Sequence, residues 1–164
     1  MKLSGELNQL PRDFRILICC FVIVLNFGFF TGFNFVRVST SLNAKGIEQN
    51  YLGNEEDEQS EVMQFKKSEK EILTLIHNHV LSLSMVFFIM AVLLYMTSTP
   101  QPMKSFLLFE PFISLILTFG GIYVMWLGLT WFTYVIMISG MAMVISLLLM
   151  SVLIIRDCLF SKAG

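Results

Sequence analysis

Residues 16–36 read ILICCFVIVLNFGFFTGFNFV, an apolar run of 21 residues without a charge. At about 1.5 Å per residue, a helix of this length covers the roughly 30 Å hydrocarbon core of a bilayer. The apolar part of a cleaved signal peptide is shorter, about 7–15 residues, and ends in small residues. The run therefore predicts a transmembrane helix that is retained.

The rest of the chain has the same character. Of its 164 residues, 55% are hydrophobic and 14% are charged, whereas an average soluble domain has about 45–50% and 25%. This composition predicts an integral membrane protein whose main partner is the lipid bilayer. A net charge of −1 without a basic face excludes a nucleic-acid partner, because phosphate binding needs clustered positive charge.

The second span has a clear beginning. Ser68 and Glu71 fit the capping-box pattern, in which each side chain satisfies a free backbone amide of the other residue. The apolar pattern from Ile72 then continues without a breaker, which predicts one helix that begins outside the membrane and enters it. Pro100 and Pro102 end this helix, since proline cannot continue it.

The third and fourth apolar tracts are separated by only three residues, 128–130. So short a connection forces an antiparallel hairpin. Trp126 and Trp131 flank it, as amphipathic aromatic residues do at a membrane surface.

The predicted fold is an all-α membrane protein with four transmembrane helices in two antiparallel hairpins. The segments alternate between spans and connections. In order they are an N-terminal segment (1–15), the first span (16–36), a polar loop (37–67), a helical extension with the second span (68–98), a turn (99–105), the third span (106–127), a short turn (128–130), the fourth span (131–155) and a tail (156–164).

Orientation follows from the basic residues. Most of those outside the loop lie on one side of the predicted membrane, which the positive-inside rule assigns to the cytoplasm. Both termini are therefore predicted to be cytoplasmic and the loop periplasmic, in a multi-pass inner-membrane protein. The loop side carries basic residues that count against this orientation. The basic residues on the cytoplasmic side are Lys2, Arg12, Arg15, Lys104, Arg156 and Lys162, and those on the loop side are Arg37, Lys45, Lys66, Lys67 and Lys70.

The histidines His77 and His79 are the only two in the chain. Residues two apart on a helix differ by about 200°, so the rings point to nearly opposite faces and cannot chelate one ion from a regular helix. Haem b or metal ligation would need a methionine or a second chain opposite one ring. The alternative is a pair of interfacial histidines that bond loop backbone, and no cofactor is assigned.

Glu110 is the only acidic residue well inside a predicted span. Carboxylates in a membrane commonly mark a proton path, an ion site or a buried partner. The alternative is a protonated or snorkelling side chain close to the headgroups. Glu110 is therefore a candidate proton or ion site.

Gly28 and Gly32 form a small-xxx-small pattern flanked by Asn26 and Asn34. Small residues at this spacing let helix backbones meet closely. The pattern predicts a helix-packing face, and the partner is either internal or another subunit. The signatures of common hydrolases, kinases and c-type haem proteins do not occur in the sequence, so no catalytic residue is predicted.

The stretch 46–85 contains a Tyr-x-Gly-Asn loop, a Met-x-Phe-x-Lys-Ser segment and a His-x-His entry to the second span. It resembles small four-span bacterial inner-membrane proteins. The resemblance implies a bacterial envelope setting alongside respiratory cytochromes and supplies no activity. The matching residues are Tyr51, Gly53, Asn54, Met63, Phe65, Lys67, Ser68, His77 and His79.

Three functional hypotheses follow. The first is a non-enzymatic subunit of a bacterial inner-membrane complex of the respiratory or electron-transfer kind, with membrane or periplasmic protein partners. The second is a small b-type cytochrome or metal-binding redox protein that uses His77 or His79. The third is a proton-coupled transport or channel component that uses Glu110.

Overall fold

In a computed structural model, which describes residues 7–55 and 62–160, the described chain is entirely helical apart from its connections. Four of its helices are long and apolar enough to cross a membrane. The predicted all-α, four-span fold is therefore confirmed. The elements are a 3-10 turn (Leu7–Gln9) and helices α1 (Arg12–Thr40), α2 (Ala44–Leu52), α3 (Glu69–Tyr95), α4 (Gln101–Trp126) and α5 (Phe132–Phe160).

Helix α3 begins where the capping box predicts. The Ser68 hydroxyl accepts a hydrogen bond from the Glu71 amide at 3.4 Å, and the Glu71 carboxylate accepts one from the Ser68 amide at 2.8 Å. Helix α4 follows Pro100 and carries Pro102 in its first turn. Proline is tolerated there because the amides of the first turn have no partner within the helix.

Helices α4 and α5 pack against each other as the central hairpin. Helix α3 packs along α4, and α1 packs along α5. Helix α2, which lies inside the predicted polar loop and was not foreseen, contacts α1 and α5. Helices α1 and α3 both touch α5 but scarcely touch each other, so α5 is shared by both sides of the bundle.

The core lies between α3, α4 and α5, and its side chains are mainly those of leucine, isoleucine, methionine and phenylalanine. The buried core residues of helix α1 lie in its first half and are Ile18, Cys19 and Val22. The buried core residues of the other three helices include Phe87, Met90, Leu94, Leu107, Leu115, Met125, Leu147, Met150 and Ile154.

The connection between α3 and α4 is tied to the end of α5 by polar contacts. Asp157 is 2% exposed and accepts hydrogen bonds from the Ser98 amide at 2.8 Å and the Ser98 hydroxyl at 2.6 Å. The buried Lys104 ammonium donates to the backbone oxygens of Tyr95 and Thr97 at 3.1 and 2.7 Å. We call these five residues the inner cluster, because they lie on the predicted cytoplasmic side.

Asp157→Ala is expected to lower the free energy of unfolding by about 2–3 kcal/mol, because it removes the buried carboxylate that accepts both Ser98 hydrogen bonds. Reversible unfolding in mixed micelles with increasing dodecyl sulfate measures the change. Asp13→Ala is the matched control, since Asp13 is exposed in the first turn of α1 and should change stability by less than about 1 kcal/mol. Equal effects of the two changes would contradict the assigned role of Asp157.

Candidate functional site

Two segments of the polar loop 37–67, which we call the outer loop because it is predicted to be periplasmic, are joined by hydrogen bonds. The Asn54 amide donates to the Gln64 oxygen at 2.9 Å, and the Gln64 amide donates back to the Asn54 side chain at 2.6 Å. The Asn54 side chain also donates to the Val62 oxygen at 2.9 Å, and the Lys67 amide donates to the Tyr51 oxygen at 3.1 Å. The Tyr-x-Gly-Asn and Met-x-Phe-x-Lys-Ser segments are therefore pairing partners in the fold.

Gly53 allows this pairing. Its φ of +84° is a backbone conformation that side chains disfavour, and an added Cβ would lie 2.7 Å from the Lys66 amide nitrogen. Only glycine satisfies both conditions without strain.

Helix α2 fastens the loop to the bundle. Asn43 caps α2 by accepting from the Gly46 amide at 2.7 Å. Glu48 accepts a hydrogen bond from the Thr133 hydroxyl, at the start of α5, at 3.0 Å. Burial raises the pKa of the Tyr51 phenol. The first half of the loop is thus folded onto the bundle.

Trp126 connects the end of α4 to the other half of the loop. Its indole nitrogen donates to the Lys67 oxygen at 2.8 Å, and the Lys66 ammonium lies 4.9 Å from its ring centroid. The Tyr123 hydroxyl donates to the Glu69 carboxylate at 3.3 Å. The first turn of α3 is therefore level with the aromatic residues at the end of α4, which typically lie at a membrane–water interface.

The two predicted candidate ligands, His77 and His79, face opposite sides of α3. The His79 ring stacks on Phe119 at 5.1 Å between centroids, and its Nδ1 lies 2.9 Å from the Leu75 oxygen. His77 is exposed and lies on one open face of α3 with Glu69, Lys70, Leu73 and Thr74. Over residues 7–55 and 62–160, His, Cys, Asp and Glu form no group of three or more that could hold a metal ion.

Glu110 lies at the seam between α4 and α5. One carboxylate oxygen accepts from the Ser114 hydroxyl of the next turn, and the other accepts from the Ser146 hydroxyl of α5. Farther along the seam, Thr118 and Ser139 share a hydrogen bond at 2.7 Å. The arrangement ties α4 to α5 through polar groups.

The predicted helix-packing residues of α1 divide between two faces. The Asn26 side chain donates to the Ser151 hydroxyl at 2.8 Å, so this residue faces α5. Gly28 and Gly32 point elsewhere, since a Cβ added at either would have no atom within 4 Å. The half-buried Asn34 lies beyond them on the same half of α1. The outer half of α1 is thus largely uncovered within the chain.

Sequence reasoning missed Asp157, Ser98 and Trp126 as members of polar clusters. Asp157 follows Arg156 near the chain end, where it looks like an ordinary solvated residue. The sequence does place Asp157 at the end of an apolar tract, on the same predicted side of the membrane as the 99–105 turn.

Together these helices define an integral multi-pass membrane protein. A family model described as Aq_1264_TM, a transmembrane helical domain, matches residues 41–164, and the chain belongs to this family. The matched region comprises α2 to α5, and α1 precedes it. The comparisons with curated proteins and with solved structures find no match.

Glu110→Leu is expected to lower the free energy of unfolding by about 1–2 kcal/mol, because it removes the acceptor for a serine on each helix. Glu110→Gln should cost less than half as much, since an amide can bond both hydroxyls. Unfolding in mixed micelles measures both variants. An equal loss in the two variants would show that charge, and not hydrogen bonding, accounts for the contribution of Glu110.

Trp126→Phe should increase cleavage of the outer loop by a broad-specificity protease about fivefold. The variant keeps the ring but loses the indole donor to the Lys67 oxygen, a contact worth about 1 kcal/mol. The control is Trp131→Phe, because the exposed Trp131 ring packs on Phe132 at 4.2 Å. If both variants are cleaved alike, the Trp126 contact does not hold the loop.

Proposed function

We propose that this protein is a non-enzymatic subunit of a membrane-protein complex, and that the outer half of α1 is the surface that binds its partner. The observation that carries the proposal is the open space over Gly28 and Gly32. A Cβ at either glycine would meet nothing within the chain. Both residues lie on a transmembrane helix whose opposite side is anchored to α5 through Asn26.

The surface suits another transmembrane helix. Helices associate in lipid through close van der Waals packing, because apolar side chains gain nothing by leaving an equally apolar solvent. Glycines spaced by four let a second backbone approach closely.

The anchoring of α1 supports this role. Arg15 donates to the Cys158 oxygen at 3.1 Å and Asn26 donates to Ser151, so the first half of α1 is held against α5 by two polar contacts. Beyond Asn26, large side chains such as Phe27, Phe30 and Phe35 are exposed. A helix fixed at one end thus presents its other half to the membrane.

The finer form of the proposal places the complex in the inner membrane of a bacterium, with a respiratory or electron-transfer role. It rests on the resemblance of the 46–85 stretch and on the periplasmic orientation predicted for the loop. The haem hypothesis for His77 or His79 and the proton hypothesis for Glu110 stay predictions. The contacts of His79 with Phe119 and Leu75 are those of a packing residue. The same holds for the contacts of Glu110 with Ser114 and Ser146.

Replacing Gly28 and Gly32 together by isoleucine is expected to abolish co-purification of the partner while the chain itself stays folded. The added side chains extend into space that the chain leaves empty, so only a contact with another protein is blocked. Native purification in mild detergent, with mass identification of the associated subunits, gives the result. An optical spectrum of the same complex tests the electron-transfer assignment.

Gly120→Ile is the matched control, because Gly120 on α4 also has no atom within 4 Å of an added Cβ. This variant should keep its partner. A wild-type chain that stays monomeric when cross-linked in its native membrane would overturn the proposal. Retention of the partner by the Gly28/Gly32 double variant would move the interface away from this surface.

A further inference from the structure

Two buried thiols meet between α1 and α5. Cys19 on α1 is 8% exposed, Cys158 on α5 is 2% exposed, and both are free cysteines. Their side chains interact through a thiol–thiol hydrogen bond. The pair lies in the first half of α1, away from Gly28 and Gly32 on the proposed partner surface. It is therefore a pair of reactive groups that the proposed function does not use.

The register of the two helices places this pair independently. Asn26 on α1 bonds to Ser151 on α5. Cys19 precedes Asn26 by seven residues, and Cys158 follows Ser151 by seven. Arg15, one turn before Cys19, donates to the Cys158 oxygen at 3.1 Å, so the helices are antiparallel. Because seven residues make nearly two full turns, both cysteines return to the seam and face each other.

Facing positions of packed helices are close enough for a disulfide. Helix axes in contact are about 8–10 Å apart, and each Cα atom lies about 2.3 Å from its own axis. Residues that face each other directly therefore have Cα atoms about 3–6 Å apart. A disulfide forms when this separation is below about 7 Å. Cys19 and Cys158 satisfy this condition through their place in the register.

The surroundings of the pair favour a disulfide over a bound metal ion. Among residues 7–55 and 62–160, His, Cys, Asp and Glu form no group of three that could complete a metal site. The Arg15 guanidinium, held at the Cys158 oxygen, repels a cation. The exposed Arg12 and Arg156 lie at the same end of these helices. Their charges place this end at the membrane surface, within reach of a small oxidant from water.

We propose that Cys19 and Cys158 form a disulfide on oxidation by a peroxide and thereby fasten α1 covalently to α5. Hydrogen peroxide takes two electrons from the sulfur of Cys19, the more exposed of the two, and leaves a sulfenic acid and one water. The Cys158 sulfur then attacks the Cys19 sulfur. The sulfur–oxygen bond breaks, and the hydroxyl group leaves with the Cys158 proton as a second water.

The bond changes how α1 is attached. Helix α1 precedes the family region 41–164, and its polar contacts with α5 through Arg15 and Asn26 are non-covalent. Thiols in the cytoplasm, the predicted location of this end, are kept reduced. The covalent attachment therefore forms only when a peroxide is present, which makes it an oxidation-dependent lock on α1.

The test uses the full chain in native membranes, with a recognition sequence for a site-specific protease inserted between residues 57 and 58 of the outer loop. The membranes are treated with hydrogen peroxide, and the remaining thiols are blocked with N-ethylmaleimide. Cleavage then separates α1 and α2 from α3, α4 and α5. On a non-reducing denaturing gel the two halves should migrate together after peroxide and apart without it. Dithiothreitol should separate them again.

Three serine variants identify the sulfurs. Cys19→Ser and Cys158→Ser should each abolish the linked band. Cys20→Ser is the matched control and should keep it, because Cys20 is the neighbour of Cys19 in the chain but is exposed. Cys20→Ser also removes any bond between two chains through this exposed thiol. A bond of that kind would appear as a dimer of the uncleaved chain.

Two results would overturn the proposal. One is separation of the halves after peroxide treatment in the wild type and in Cys20→Ser. The other is a linked band that persists in Cys19→Ser, which would mean that Cys20 and not Cys19 reaches α5. The Gly28/Gly32 double variant keeps all three cysteines and should form the bond with or without a partner, so the lock and the partner surface are tested separately.

Discussion

Polar groups inside a bilayer have no water to bind, and this constraint shapes the whole molecule. The backbone meets it by forming helices. Polar side chains meet it by pairing across helix contacts, as Glu110 does with Ser146 and as Asn26 does with Ser151. Helix α5 supplies a partner in both interhelical contacts, and that is why it lies at the centre of the bundle.

The two ends of the bundle are closed in different ways. At the inner end, Asp157 receives the donors of the α3–α4 connection, so a carboxylate and a turn satisfy each other. At the outer end, Trp126 holds the loop by an indole hydrogen bond and by its ring. A bundle with both ends fastened is a stable base for a surface that binds another molecule, and the proposed contact through α1 uses one such surface.

Several features could be read from residue types and spacing. The start of α3 at Ser68 was predictable because a capping box is a local pattern, and the opposed histidines were predictable from the angle per residue. The role of Gly28 and Gly32 was predictable only as packing. Whether a neighbour lies inside or outside the chain depends on the direction in which α1 faces, and local pattern does not contain that direction.

The sequence by itself determined that this chain is helical, spans a membrane four times and begins its second span at Ser68, because length, hydropathy and capping act over short distances. Only the tertiary structure decided the contacts between distant residues. It brought Asn54 and Gln64 into hydrogen-bond contact, and likewise Asp157 and Ser98. It also left Gly28 and His77 on helix faces that the described chain does not cover. Those outcomes depend on how the helices are rotated and packed, and rotation is set by all the contacts at once.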